Sequence, residues 1–489
     1  MNNEKFEKIK ENVSELVMFL KAMPKGGDLH NHSLGGGYSE LIYEKAILNN
    51  SYYDLGTHKF LDENEYQQSD KNQDIKTIEA LERENMEDYL NNYSVRGLKN
   101  KKSGADHFFN TFVNVLSTKV KEEELVLEVL KRNQLENISY VEMISDCIPE
   151  TLIEKFENSF EIQEDFNLNE MKEYCEILEK NITDENILEL KDFLNKRENY
   201  LKKNGVENIE VGYMPYLRRV SSDLKTFFTE AFLFILSSCL DPRIVGVNIV
   251  ETEDSLKARR NFNSHLKILK YLYLYFQEKF PNKKINLSIH AGELTLEREA
   301  LENMKDRIIS TIFLERDKNK REKVITKRIG HGVSIQWETF ETLEVMKKNK
   351  IPVEICLTSN EIILGIEGEN HPFNLYKKYG VPMVICTDDE AVSRSNIVME
   401  YLKAVKRYDL NYLELKALIK NTLEFSFLEG ESLYMDGDYK TMRAEFSGIK
   451  TIEELEKKTV ENKKLIFSNK KLKMQLELEK KILEFERNY

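Results

Sequence analysis

Short β-branched or apolar runs recur through the middle of the chain, each followed by a longer stretch whose apolar residues fall at helical spacing. That alternation predicts a parallel α/β fold. Eight runs stand out: Gly27–His30, Ile138–Ile144, Ile209–Tyr213, Ile244–Val250, Ile285–His290, Lys327–Gly330, Pro352–Thr358 and Pro382–Cys386. Eight strand-helix units with polar residues gathered at the strand carboxyl ends predict a closed (β/α)8 TIM barrel whose site lies on that face. An open doubly wound sheet is the alternative.

The later runs follow one another at the spacing of ordinary barrel units, whereas the first two gaps are much longer than a helix and two loops require. Helical insertions are therefore expected after strands one and two. The first, about 41–104, is polar and rich in Asn and Tyr, and reads as loop mixed with helix. The second, about 149–203, reads as acidic helix, with Leu152, Ile153, Phe156 and Phe160 on one face. Such a face is usually a packing surface, with a lid as the other reading. Residues 1–22 read as an N-terminal helix, 23–450 as the barrel, and 451–489 as a helical C-terminal extension in which Leu465, Leu472, Leu476, Leu483 and Phe485 keep no clean heptad.

Composition narrows the class. The formal charge of -13 over 489 residues disfavours a phosphate backbone, so no nucleic-acid partner is expected. No uncharged apolar run is long enough to span a bilayer, and the first residues carry Glu and Lys where a signal peptide would be apolar. The five cysteines form neither an even framework nor a CxxC pair, which argues against disulfides and a thiolate zinc knuckle and points to a reducing compartment, the cytoplasm. A homo-oligomer held through the helical insertions or the tail is an open expectation.

Histidine is scarce, so the placing of the eight is informative: His30, His32, His290 and His331 all terminate predicted strands. The two-residue period of a strand puts the imidazoles of His30 and His32 on one face. His290 ends an apolar strand and is followed by Ala291, Gly292 and Glu293; His331 sits between glycines; Thr387, Asp388 and Asp389 close the last run. Three imidazoles and a carboxylate from strand ends of one barrel make a ligand set suited to Zn2+, one ion per chain, with an open position for water. The HxE and PCxxC signature of the nucleic-acid deaminases is absent.

These segments, in order from about Met23 to Tyr401, resemble the adenosine deaminase family of amidohydrolase barrels. The stretch from Met23 to His32 is most similar to the first-strand motif of its growth-factor-related branch, and His290-Ala291-Gly292-Glu293, Arg328-Ile329-Gly330-His331-Gly332 and Thr387-Asp388-Asp389 resemble the later motifs nearly letter for letter. The resemblance implies that His30, His32, His290 and Asp388 hold zinc, that His331 lies beside the metal-bound water, that Glu293 protonates purine N1 and that Asp389 contacts N7. Water would attack C6 and release ammonia.

The departures fall in the substrate contacts. Leu34 stands where relatives carry an aspartate for the 5′-hydroxyl, and Glu251 where they carry a glycine whose backbone N–H faces N3. Phe108 and Phe112 are placed to form an apolar wall over the purine, and Arg218 and Arg219 follow the third strand near the same mouth, where they could meet a 5′-phosphate. The expected activity is zinc-dependent hydrolytic deamination of adenosine or a derivative, a small purine. The alternatives are an adenine nucleotide as substrate, or a catalytically silent deaminase-like binding protein.

Overall fold

Eight parallel strands close into a ring, and each overlaps one of the eight apolar runs of the sequence. The computed structural model describes residues 3–70, 74–100, 104–162 and 167–489. Residues 1–2 of the expected N-terminal helix, and 71–73, 101–103 and 163–166 of the expected insertions, lie outside the described residues. The strands are Gly26–His32, Ile138–Ile144, Glu210–Met214, Asn248–Val250, Ser288–Ala291, Arg328–His331, Val353–Ile355 and Met383–Ile385. The first three pair in sequence order, as do the last four. The fourth joins both groups: it pairs with Tyr216–Arg218 just beyond strand three, and single bridges link Tyr213 to Ile244 and Val247 to Leu287. An Asn31–Asp388 bridge closes strand eight onto strand one. This is a (β/α)8 barrel. Strands covered on both faces must be apolar almost throughout, which is why each reads as a run and not as an alternation.

The first insertion differs from the expected mix of helix and loop. It holds a three-stranded antiparallel sheet, with Tyr52–Asp54 between Lys59–Leu61 and Ile75–Thr77. Tyr53, Phe60, Tyr89 and Tyr93 pack into a core of its own. The helix that follows this insertion, Gly104–Ser117, lies against Leu357–Leu364. In the second insertion Leu152, Ile153, Phe156 and Phe160 bury against Phe227 and Phe228 of the helix Leu224–Leu240, a packing surface.

The N-terminal stretch is two helices, Asn3–Glu11 and Val13–Ala22, because the Asn12 side chain accepts from the Ser14 and Glu15 amides and caps the second. The tail forms Ile452–Glu461, Lys463–Phe467 and Lys470–Asn488, and the last of these buries Met474, Leu478, Ile482 and Phe485 in the main barrel core. The lower end of strand one is tight: a Cβ at Gly26, whose φ is +69°, would meet Leu478 at 3.2 Å. Among the described residues no helix is long and apolar enough to cross a membrane.

Candidate active site

The carboxyl ends of strands one, five, six and eight bring together the residues singled out in the sequence. His30 and His32 project from strand one on the same side, and register sets Gly330 of strand six opposite His290 of strand five. Gly330 is needed there, since a Cβ would come within 3.1 Å of the His30 ring and 3.2 Å of the His290 backbone. Nε2 of His30 lies 3.1 Å from Nε2 of His32 and 3.0 Å from that of His290, and His32 and His290 are 3.3 Å apart. Asp388 Oδ1 is 3.4 Å from His30 Nε2 and 3.3 Å from His32 Nε2.

Hydrogen bonds behind the rings give these contacts their meaning. His30 Nδ1 faces Glu354 Oε2 at 2.7 Å, and His290 Nδ1 faces Asn248 Oδ1 at 2.8 Å. Burial lowers the His30 pKa but is outweighed by Asp388 and Glu354, which raise it to about 10, so without a metal this ring is a cation. A bound metal ion would replace its Nε2 proton, and the outward hydrogen bonds then leave a lone pair on Nε2 of each ring. With that proton gone, two lone pairs 3.0 Å apart would repel, and a metal ion between them would remove the repulsion. The separations also suit an ion: metal–nitrogen bonds of 2.0–2.1 Å in a tetrahedron place ligand atoms about 3.3 Å apart. His30, His32, His290 and Asp388 form one group able to hold a metal ion, and His30, His331, Cys356 and Asp388 another. Burial, then the Asp388 charge, pushes the Cys356 thiol well above its ordinary value, so it stays protonated and the first group fits better.

Glu354 is itself held by Ser288 Oγ at 2.7 Å and Arg328 Nε at 2.5 Å, and Arg328 reaches Glu142 on its other side. Four buried residues of the barrel interior thus fix the orientation of the His30 ring.

Beside this cluster stand two carboxyl groups that each keep one oxygen without a partner. Glu293 Oε1 and Asp389 Oδ1 are buried and make no hydrogen bond. Burial, then the negative charge of Asp388, pushes both well above the usual carboxylate range, which favours the protonated form that can donate. Glu293 is anchored through its backbone N–H, which donates to Glu253 Oε1 at 2.8 Å. Asp389 lies against Gly35, where a Cβ would fall 1.9 Å from Oδ1. His331 is buried, with Nε2 4.0 Å from Asp388 Oδ2 and Nδ1 3.6 Å from Glu293 Oε1. Burial lowers its pKa to about 3, so the ring is neutral.

The residues expected to touch substrate are more dispersed. Leu34 opens a short 3-10 turn two residues past His32 and is half-buried. Phe108 and Phe112 lie on the helix Gly104–Ser117 and pack with Val333 and Val392, which follow His331 and Asp389 closely in the chain. The Glu251 side chain turns aside, accepting from the Ser221 amide at 2.9 Å and from Ser221 Oγ at 2.6 Å, as well as from the Val220 amide. Arg218 pairs with Glu230 at 2.7 Å. Arg219 donates to the carbonyls of Ile249, Val250 and His290. Sequence reasoning missed Glu354, Asn248 and Glu253, as well as Asn360 and His371, which lie behind His331. For Glu354 and Asn248 the signal was a lone polar residue inside an apolar run.

The family model for adenosine deaminase matches residues 88–433. The chain belongs to the adenosine deaminase family. It is 31% identical over 148 residues to the adenosine deaminase of Clostridium acetobutylicum, a stretch covering 30% of this chain and 39% of that protein. It is 39% identical over 102 residues to the adenosine deaminase-like protein of Caenorhabditis elegans, covering 20% and 26%. The aligned part thus spans about two fifths or less of these curated relatives. Among solved structures, Arabidopsis ADAL complexed with GMP superposes with a TM-score of 0.51 at 18% identity, covering 84% of this chain and 94% of that one. The apo N6-methyl-AMP deaminase of Arabidopsis thaliana does so with a TM-score of 0.50 at 17% identity and the same coverage. At these identities the likeness is one of fold.

Proposed function

We propose that the protein is a zinc-dependent hydrolase that deaminates adenosine or an adenosine derivative to the inosine product and ammonia. The observation that carries this reading is the pair of buried carboxyls, Glu293 and Asp389, each with one unpaired oxygen, set beside a cluster of ligand atoms that fits a metal ion. Purine ring nitrogens are acceptors, and two buried donors match N1 and N7. His30, His32, His290 and Asp388 would hold the ion, which when bound lowers the pKa of a coordinated water to about 7.

The chain's own groups then carry the protons. Glu293 gives its proton to N1, which makes C6 electrophilic; Asp389 donates to N7 and orients the ring. Asp388 takes one proton from the attacking water and passes it to the leaving amino group, which departs as ammonia. The second water proton replaces the one lost by Glu293, so the cycle closes. Phe108 and Phe112 supply an apolar wall, and the Glu251 backbone N–H faces N3. The five free thiols, all buried, support a reducing, cytoplasmic location.

Adenosine leads over a nucleotide because the two arginines expected to meet a 5′-phosphate are engaged, Arg218 with Glu230 and Arg219 with three carbonyls. Leu34 offers no acceptor to a 5′-hydroxyl, so 5′-deoxyadenosine is expected within roughly tenfold of adenosine in kcat/KM, with AMP well below both. The test is kcat/KM for adenosine, 5′-deoxyadenosine, AMP and adenine on protein analysed for zinc, about one ion per chain being expected. Full activity without metal, or no turnover of any of the four, overturns the proposal; a preference for AMP replaces the nucleoside reading with the nucleotide one.

A further inference from the structure

A chain of hydrogen bonds reaches His331 from behind, and it starts at a donor of fixed sense. The backbone N–H of Phe373 donates to His371 Nδ1 at 3.2 Å. A backbone amide can only donate, so His371 Nδ1 carries a lone pair, and the neutral ring keeps its proton on Nε2. Burial, then the Arg407 charge, lowers the His371 pKa to about 3, so the ring is neutral. His371 Nε2 lies 3.2 Å from Asn360 Oδ1, which accepts from it. That orients the Asn360 carboxamide with its NH2 toward His331 Nδ1, 3.0 Å away. His331 Nδ1 is then an acceptor, and the ring proton sits on Nε2, the nitrogen facing Asp388 Oδ2 at 4.0 Å. The opposite polarity would set the Phe373 N–H against another N–H inside a buried region, since His331, Asn360 and His371 are all buried.

We propose that Asn360 and His371 are positioning residues that hold His331 in its Nε2–H tautomer, so that His331 presents a hydrogen-bond donor, and no base, to the oxygen of the attacking water. This rests on the deaminase reading and assigns one role within it. A neutral imidazole with hydrogen on Nε2 cannot take a proton there, which leaves Asp388 as the acceptor of the water proton. His331 instead stabilises the negative charge that gathers on that oxygen as its bond to C6 forms. Neither Asn360 nor His371 touches the reacting atoms. They act through His331 alone, as an outer hydrogen bond fixes the tautomer of a working histidine elsewhere.

The test reads the tautomer directly. In zinc-loaded protein labelled with 15N at histidine, the long-range proton–nitrogen correlation shows which ring nitrogen is protonated, and a His331→Asn sample assigns the signal. His331 is expected protonated at Nε2, and so is His371. Asn360→Asp puts a carboxylate oxygen where the NH2 was, so the His331 proton should move to Nδ1. The same variant should lose about 10²–10³ in kcat, the usual worth of one such donor, with KM changed less than about threefold and zinc content unchanged. His371→Gln, which can still donate to Asn360 Oδ1, should retain more activity than His371→Leu; equal losses would indicate mere packing and count against the relay. A wild-type spectrum with His331 protonated at Nδ1 overturns the proposal, whatever the variants do. That spectrum decides the matter even if Asn360→Asp fails to fold. It is also independent of turnover, so failure of the deaminase reading would be seen separately, in the substrate screen.

Discussion

Glu354→Gln removes one charge from inside the barrel while keeping the shape of the side chain. Glu354 is fully buried, and its oxygens take His30 Nδ1 at 2.7 Å, Ser288 Oγ at 2.7 Å and Arg328 Nε at 2.5 Å. Burial pushes the carboxyl up, but the Arg328 guanidinium and His30 outweigh it and hold the group down to about 2 from an ordinary 4.5. At about 1.4 kcal/mol per pH unit, a depression of that size contributes about 3 kcal/mol to folding at neutral pH. Loss of one partner from a buried ion pair costs about 3–5 kcal/mol, and Arg328 keeps Glu142, so the lower end applies and the two figures agree. The sign follows from the lowered pKa: this stability is present above about pH 4.5 and is lost as the pH falls toward about 2. Urea unfolding of metal-free wild type and variant should therefore differ by about 3 kcal/mol at pH 7 and by progressively less below about pH 4.5. The glutamine also presents an NH2 to one of three donors, so the His30 ring loses its fixed aim and zinc affinity, measured by chelator competition, should fall about 10–100-fold. A stability difference under about 1 kcal/mol at pH 7, with affinity within about twofold, would refute the argument that Glu354 and Arg328 hold His30 in place.

Two further substitutions probe the donors. Glu293→Gln keeps the side chain's size and cannot release a proton, so kcat should fall by about 10²–10⁴ with fold and zinc content retained; near-normal turnover would make Glu293 structural. Gly35→Ala places a Cβ 1.9 Å from Asp389 Oδ1 and 2.4 Å from Asp389 Cβ, so Asp389 must move. Its kcat/KM should drop at least about tenfold with zinc content unchanged, and an unaffected value would remove Asp389 from the substrate contacts.

The barrel was legible because strands buried on both faces must be apolar, and the site was legible because a histidine at the end of such a strand is conspicuous. Glu354, Asn248 and Glu142 were not, since one polar residue inside an apolar run reads equally as a strand end. Asn360 and His371 escaped for another reason: neither terminates a strand, and only the packing of the helix Leu357–Leu364 behind strand six brings Asn360 to His331. The small sheet of the first insertion was missed because its strands are three residues long, too short for a period of two to show. Asn12 could have been read as a helix cap and was not. The C-terminal helix lacks a heptad because its apolar residues are divided between the main barrel core and a small cluster around Leu433, Tyr434 and Phe446, so no single seam repeats along it.

Four strands leave the barrel mouth through the same backbone conformation. Glu251, Gly292, His331 and Asp388, at or just past the ends of strands four, five, six and eight, have φ of 73°, 81°, 63° and 63°. Only the glycine occupies that left-handed region freely; each of the other three pays about 1–3 kcal/mol in strain. At His331 and Asp388 the strain aims a working side chain that a glycine could not provide. Glu251 has a different explanation. Its side chain is tied down by the Val220 and Ser221 amides and the Ser221 hydroxyl, which offset the strain of keeping a non-glycine in a glycine's conformation. The backbone at 251 therefore keeps a glycine's conformation, so on the proposed reading the sequence departure there would change the loop at 220–221 more than a contact with purine N3. Leu34 admits no such reconciliation, because a carboxylate and an isobutyl group differ at the atoms that would meet the 5′ end. On the proposed deaminase reading, Leu34 is the departure from the family pattern that would bear on substrate choice.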